Sequence, residues 1–194
     1  GMVQGERSAL ASNITAYPTI MPTRRVDQAS VDNAIALGGV KETNNLIVQF
    51  NDRATTLQPF TNDLAALEAA IRKTETSGPT ALHNALYVAL KELGKQKKTG
   101  ELRRRAVVLL SDGEDTSSIV TDEQALELAR TTEIAIYAIS LRENTDLDRE
   151  RRAFSRAEYR LTALSRETGG VVYCPTALAE LDAVYGRIAE ELRT

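Results

Sequence analysis

This 194-residue chain has one cysteine, Cys174, and one histidine, His83. The single cysteine excludes an internal disulfide framework and a zinc site built on cysteines. The single histidine excludes a multi-histidine metal centre and leaves at most one imidazole for acid–base work. No apolar run approaches the ~20 residues of a membrane helix, and no signal peptide is visible. An excess of one charge is also lacking. The formal net charge of −3 favours neither nucleic acid nor an anionic membrane. Nucleotide-binding glycine loops of the G-x-G-x-x-G and G-x-x-x-x-G-K-[ST] types are absent. So is the G-x-S-x-G elbow of a hydrolase.

What is present is an ordinary globular composition, 42% hydrophobic and 26% charged. The length suits one domain over residues 1–194, with an irregular part to residue 45 and an orderly part after it. From residue 46 strands and helices alternate. "LIVQF" (46–50) reads as a buried strand and "TTLQPF" (55–60) as a short antiparallel partner. "NDLAALEAAIRKTE" is a helix capped by Asn62 or Thr61, and "ALHNALYVALKELGKQ" a second one with Leu82, Leu86, Leu90 and Leu93 on one face. "KQKKTGELRRR" is a solvated basic connection. "AVVLLS" is the central strand. "TDEQALELARTT" is a helix with a Thr121/Gln124 capping box. "IAIYAISL" is a strand, and a long charged helix ends at Gly169–Gly170. "VVYC" is a short strand, with Cys174 as a small core residue, and "ALAELDAVYGRIAEELR" is the last helix. This alternation predicts a three-layer α/β fold, a doubly wound and mostly parallel sheet with helices on both faces.

The first 45 residues are less regular. "GERSALASNITAY" is expected to be a helix ended by Pro18 and Pro22. A rival reading makes "ITAYPTIM" a strand, against which Pro18 weighs. "VDQASVDNAIAL" reads as a second short helix capped by Asp27, and "GGVKETNN" as a loop.

"VVLLSDGEDTSS" (107–118) runs four apolar residues into an acidic loop. Carboxylates and hydroxyls at the C-terminal end of a buried strand suit a hard cation. Together with "VQFNDRATTLQPFTND", "GPTALHNALYVAL" and "ETGGVVYCPTALAELDAVYGRIAEELR", this stretch resembles the von Willebrand factor type A domain, and the bacterial proteins related to it in particular. The resemblance covers residues 46–193, about three quarters of the chain.

The resemblance implies a binding module rather than an enzyme. It also implies a metal-ion-dependent adhesion site at the C-terminal ends of the strands. Thr80 in "SGPTALHNAL" matches the threonine of that site, and Asp112 in "LLSDGED" matches its aspartate. The Asp-x-Ser-x-Ser loop that should follow strand one is absent, which leaves open that the first strand is missing. Mg2+ or Mn2+ binding is then expected to be weak or absent, because two hydroxyls and a carboxylate are lost from the shell. Glu114 and Asp115 are the nearest substitutes, although a solvated acidic turn explains them as well. Ser117 and Ser118 read as turn or cap residues. Thr80 also reads as a helix N-cap.

Such a site would hold a partner protein through an acidic side chain of the partner. A sheet lacking strand one would leave a gap, to be filled by the N-terminal segment or by a second copy in a homodimer. Gly1 ahead of Met2 has the look of a tag-removal remnant, and "MVQGERSAL" is similar to the family's continuation after the serine loop. The expectation is a start just downstream of that loop, in an exported or cell-envelope protein. Two further readings are a metal-free structural or oligomerising domain and a hydrolase using Ser111, Asp112 and His83.

Overall fold

The computed structural model describes residues 14–16, 18–22, 44–74, 79–96, 104–140, 156–175, 177 and 180–192. Its strands are β1 (Ile14–Ala16), β2 (Pro18–Pro22), β3 (Asn45–Phe50), β4 (Ala54–Thr61), β5 (Arg104–Ser111), β6 (Ala135–Ser140) and β7 (Val172–Tyr173). Its helices are α1 (Leu64–Arg72), α2 (Leu82–Lys95), α3 (Asp122–Thr132), α4 (Arg156–Glu167) and α5 (Leu181–Glu191).

The strands form one sheet in the order β4-β3-β2-β5-β6-β7, with β1 also on β5. All pairings are parallel except the β3–β4 hairpin. The interior of β5 is buried on both sides, as a central parallel strand requires. Its alternate residues supply two cores. Val107 and Leu109 pack with α2, α3 and α4 on one face. Ala106, Val108 and Leu110 pack with α5 on the other. On β3, Ile47 meets Leu67 and Ile71 of α1. The predicted three-layer fold is therefore the one observed.

The N-terminal expectation needs correcting. Ile14–Ala16 and Pro18–Pro22 are strands, not the end of a helix. β2 lies between β3 and β5, with Thr19 opposite Val108 and Ile20 opposite both Val48 and Leu109. The slot left open by the absent serine loop is filled by the N-terminal segment, one of the two occupants expected for a gap there, so no gap is left that a second copy would have to fill. The physical reason is the slot itself. Between two parallel strands, β2 gains ladder bonds on both sides, which no helix could supply. Its prolines stand at its first and last positions, where a missing N–H costs least. The short helix expected at residues 26–37 and most of the basic connection lie outside the described residues.

Several element ends also differ. Asp63 caps α1, accepting from Ala65 and Ala66, while Thr61 accepts from Asp63 N–H. The last helix begins at Leu181, later than the expected Ala177. Cys174 is exposed and is not a core residue. Arg105, read as part of a solvated run, is partly buried and donates to the carbonyls of Leu93 and Thr132. The Thr121/Gln124 capping box forms as expected.

Candidate functional site

The chain leaves β2 toward β3 on one side, and later returns on the other side through β5. The winding therefore reverses between β2 and β5. In open α/β sheets the crevice beyond the strand C-termini at such a point is where ligands bind. Asp112 follows β5 directly and stands at this edge. The turn after β3 reaches the same edge, because Asn51 C=O accepts from Ala81 N–H at 2.6 Å, just ahead of α2.

Thr80 lies two residues ahead of α2. The N-cap of this helix is Ala81, which has no side chain to cap with. The expectation that Thr80 caps the helix is thus not met; the main chain of Thr80 is used instead. Thr80 N–H donates to Thr116 Oγ1 at 2.8 Å, and Thr80 C=O accepts from the N–H groups of Thr116 and Ser117 at 2.9 and 3.1 Å. None of these bonds uses the Thr80 hydroxyl.

The orphan N–H groups that open α2 are capped from the loop after β5. Asp115 Oδ2 accepts from His83 N–H at 2.9 Å, and Ser118 Oγ accepts from Asn84 N–H at 3.0 Å. In return Asn84 Oδ1 accepts from the N–H groups of Ile119 and Val120 at 3.1 and 3.0 Å. A seam of hydrogen bonds between residues more than thirty apart thus joins 80–84 to 115–120. Clusters of Asp, Ser and Thr favour bonds from side chain to main chain. That signal is legible in "DGEDTSS", but its partner strip on α2 is not.

The acidic residues are placed differently from one another. Asp112 is half-buried, and Oδ1 accepts from Glu114 N–H at 3.1 Å in a local turn. Glu114 is exposed. Asp115 has a side chain only 8% exposed, and both oxygens are engaged. Oδ1 accepts from the N–H groups of Ser117 and Ser118. Oδ2 accepts from His83 N–H and lies 3.0 Å from His83 Nδ1. Burial alone raises the pKa of this carboxyl. Hydrogen bonds from the Ser118 hydroxyl and from the His83 and Ser118 main chain, with the His83 charge, outweigh burial and hold it below the ordinary value.

His83 is buried, and its Nε2 has no hydrogen-bond partner among the described residues; neither has Ser117 Oγ. Ser111 is fully buried, with its hydroxyl oxygen accepting from Gly113 N–H at 3.0 Å. The three residue types of a hydrolase are therefore engaged separately: His83 faces Asp115, Ser111 serves a turn, and Asp112 binds its own loop.

A hard cation takes oxygen donors, and Mg2+ commonly keeps several waters beside one or two carboxylates. The Thr80 hydroxyl and the Asp112 carboxylate are donors of that chemical kind. Exposed Glu114 is a third oxygen donor on the same loop. Among the described residues, no three acidic, histidine or cysteine side chains gather in a metal-binding group.

The von Willebrand factor type A domain family model matches residues 18–114, half of the chain. No curated protein matches the chain. Solved structures do. An aerotolerance-related membrane protein from Bacteroides fragilis is 16% identical, with 92% of this chain and 98% of that one covered and a TM-score of 0.64. A von Willebrand factor type A protein from Catenulispora acidiphila is 14% identical, with 94% and 43% covered and a TM-score of 0.69. Proximal thread matrix protein 1 from the mussel byssus, with a zinc-occupied MIDAS motif, is 16% identical, with 94% and 46% covered and a TM-score of 0.67. At these identities the likeness is one of fold.

Proposed function

The chain belongs to the von Willebrand factor type A domain family, and we propose that residues 1–194 act as one protein-binding module with a partial metal-ion-dependent adhesion site. Thr80 and Asp112 are its oxygen donors, with Glu114 as an accessory. Asp115, although close in sequence, already spends both oxygens on N–H groups. The observation that carries this reading is the seam. It ties the Thr80 turn to the loop holding Asp112 at the reversal point of the sheet.

The work of the site is ligation, not bond cleavage. A divalent cation, when bound, supplies an open coordination position that a carboxylate oxygen of a partner protein can fill. The chain's own residues orient that encounter. Thr80 and Asp112 hold their donors on a hydrogen-bonded edge, and Glu114 extends into solvent beside them. One carboxylate and one hydroxyl make a weak site for Mg2+ or Mn2+, with a dissociation constant on the order of millimolar. The zinc-occupied motif of the mussel protein supports metal use on this fold.

The test is a calorimetric titration with Mg2+ and Mn2+ of this chain and of Asp112→Ala. Saturable binding that disappears in Asp112→Ala is expected. No binding in the parent chain would sink the metal part of the reading. A second reading, a metal-free scaffold, would then stand, favoured by the lack of a three-residue acidic, histidine or cysteine group among the described residues.

A further inference from the structure

We propose that Asp115 is the positioning residue of this site, holding the Asp112 loop and the Thr80 turn in one fixed arrangement without ligating. The proposal rests on the metal-site reading and adds the device that sets its geometry.

Asp115 lies three residues after Asp112, and His83 lies three residues after Thr80. Their contact therefore anchors each ligand-bearing segment at the same short remove. The candidate ligands do not anchor themselves. Asp112 has a bond within its own turn, and Thr80 is held through its main chain. Across the seam, Asp115 is the carboxylate that bonds both segments at once. Oδ1 gathers the amides of Ser117 and Ser118 in its own loop, and Oδ2 takes His83 N–H and Nδ1 on α2. It also takes the capping role that Ala81 cannot fill.

This arrangement demands a carboxylate. Each oxygen faces N–H donors, so each must accept. An asparagine has the same shape, but its NH2 would have to face one of the two donor sets. Asp115→Asn should therefore disrupt the seam rather than preserve it. Residues that orient metal ligands without touching the metal typically change affinity about 10–100-fold when substituted.

The experiment compares the parent chain, Asp115→Asn and Arg105→Met, each kept below its melting temperature. Two quantities are read: Mn2+ affinity by calorimetry, and amide hydrogen exchange by NMR. Arg105 bonds carbonyls late in α2 and at the end of α3, away from the seam, so its variant reports lost stability alone. In Asp115→Asn, Mn2+ affinity is expected to fall at least about tenfold. The amides of Thr80, His83, Asn84, Thr116, Ser117 and Ser118 should lose protection together. Arg105→Met should melt lower yet keep both properties. Should Asp115→Asn not fold, Ser118→Ala, which removes one seam bond, should show a smaller change of the same kind, and parent-like behaviour there would overturn the proposal.

Unchanged Mn2+ affinity in Asp115→Asn, beside a parent chain that binds, would also overturn it. So would protection lost only at Ser117 and Ser118. A parent chain that takes up no Mn2+ would defeat the metal reading instead. Exchange alone then decides: joint loss at both segments upholds the positioning role, and unchanged protection at Thr80 and Asn84 rejects it.

Discussion

His83 meets Asp115 twice on one oxygen: its main-chain N–H lies 2.9 Å from Asp115 Oδ2, and its ring Nδ1 lies 3.0 Å from the same atom. Two groups of one residue at the start of a helix thus share one acceptor in the loop after a strand. The ionised carboxylate places its charge on that acceptor.

Stability should follow this charge. The Asp115 carboxyl is held below its ordinary pKa of 3.8 in the folded chain. The folded state then favours the ionised form. The resulting stabilisation is fully present above the unfolded pKa and is lost as pH falls through the folded one. Urea unfolding of the parent chain and Asp115→Asn is the check. The gap in midpoint should narrow as pH falls below about 4. A gap independent of pH would mean that Asp115 acts by shape alone.

Arg105 joins the far ends of two helices. Its guanidinium donates to Leu93 C=O at 3.2 Å and to Thr132 C=O at 2.9 Å, where helix C-termini carry partial negative charge. Arg105→Met should cost about 2 kcal/mol, since a hydrogen bond from a charged group is worth ~1.5–3 kcal/mol. Thermal melting would read the loss, and an unchanged midpoint would show the two bonds to be idle.

The paired glycines after α4 should respond unequally. A Cβ on Gly170 would collide with the main-chain carbonyl of Ile136, which cannot move without disturbing β6. Gly169 has φ +81° but open space around it. Gly170→Ala should cost about 3 kcal/mol through overpacking. Gly169→Ala should cost only about 1 kcal/mol, through the left-handed backbone. Denaturant unfolding of both variants gives the order, and a larger loss at Gly169 would contradict it.

Local patterns were readable wherever the physics is local. The capping box at Thr121 and Gln124 needs only one turn of helix, and it forms as the spacing predicts. The stripe Leu82, Leu86, Leu90 and Leu93 is buried because helical periodicity sets which face is apolar. Cys174 shows the limit of the same approach. Its residue type favours burial, yet it lies past the end of a two-residue strand and is exposed.

The candidate site was readable only in part. Thr80 and Asp112 stood out as oxygen donors at a helix start and at a strand end. The roles of His83, Asn84, Thr116 and Asp115 did not, because each rests on a partner more than thirty residues away. No spacing within one segment encodes such a contact.

The amino-acid sequence by itself determined the layers, the alternation and most of the element types, since burial periodicity and turn chemistry act over a few residues. The tertiary structure alone decided the fate of Pro18–Pro22. A segment with two prolines becomes a strand when it fills the slot between β3 and β5. It also decided the task of Asp115. Packing brings the start of α2 against the loop after β5, and a carboxylate that could have faced solvent becomes the acceptor for both.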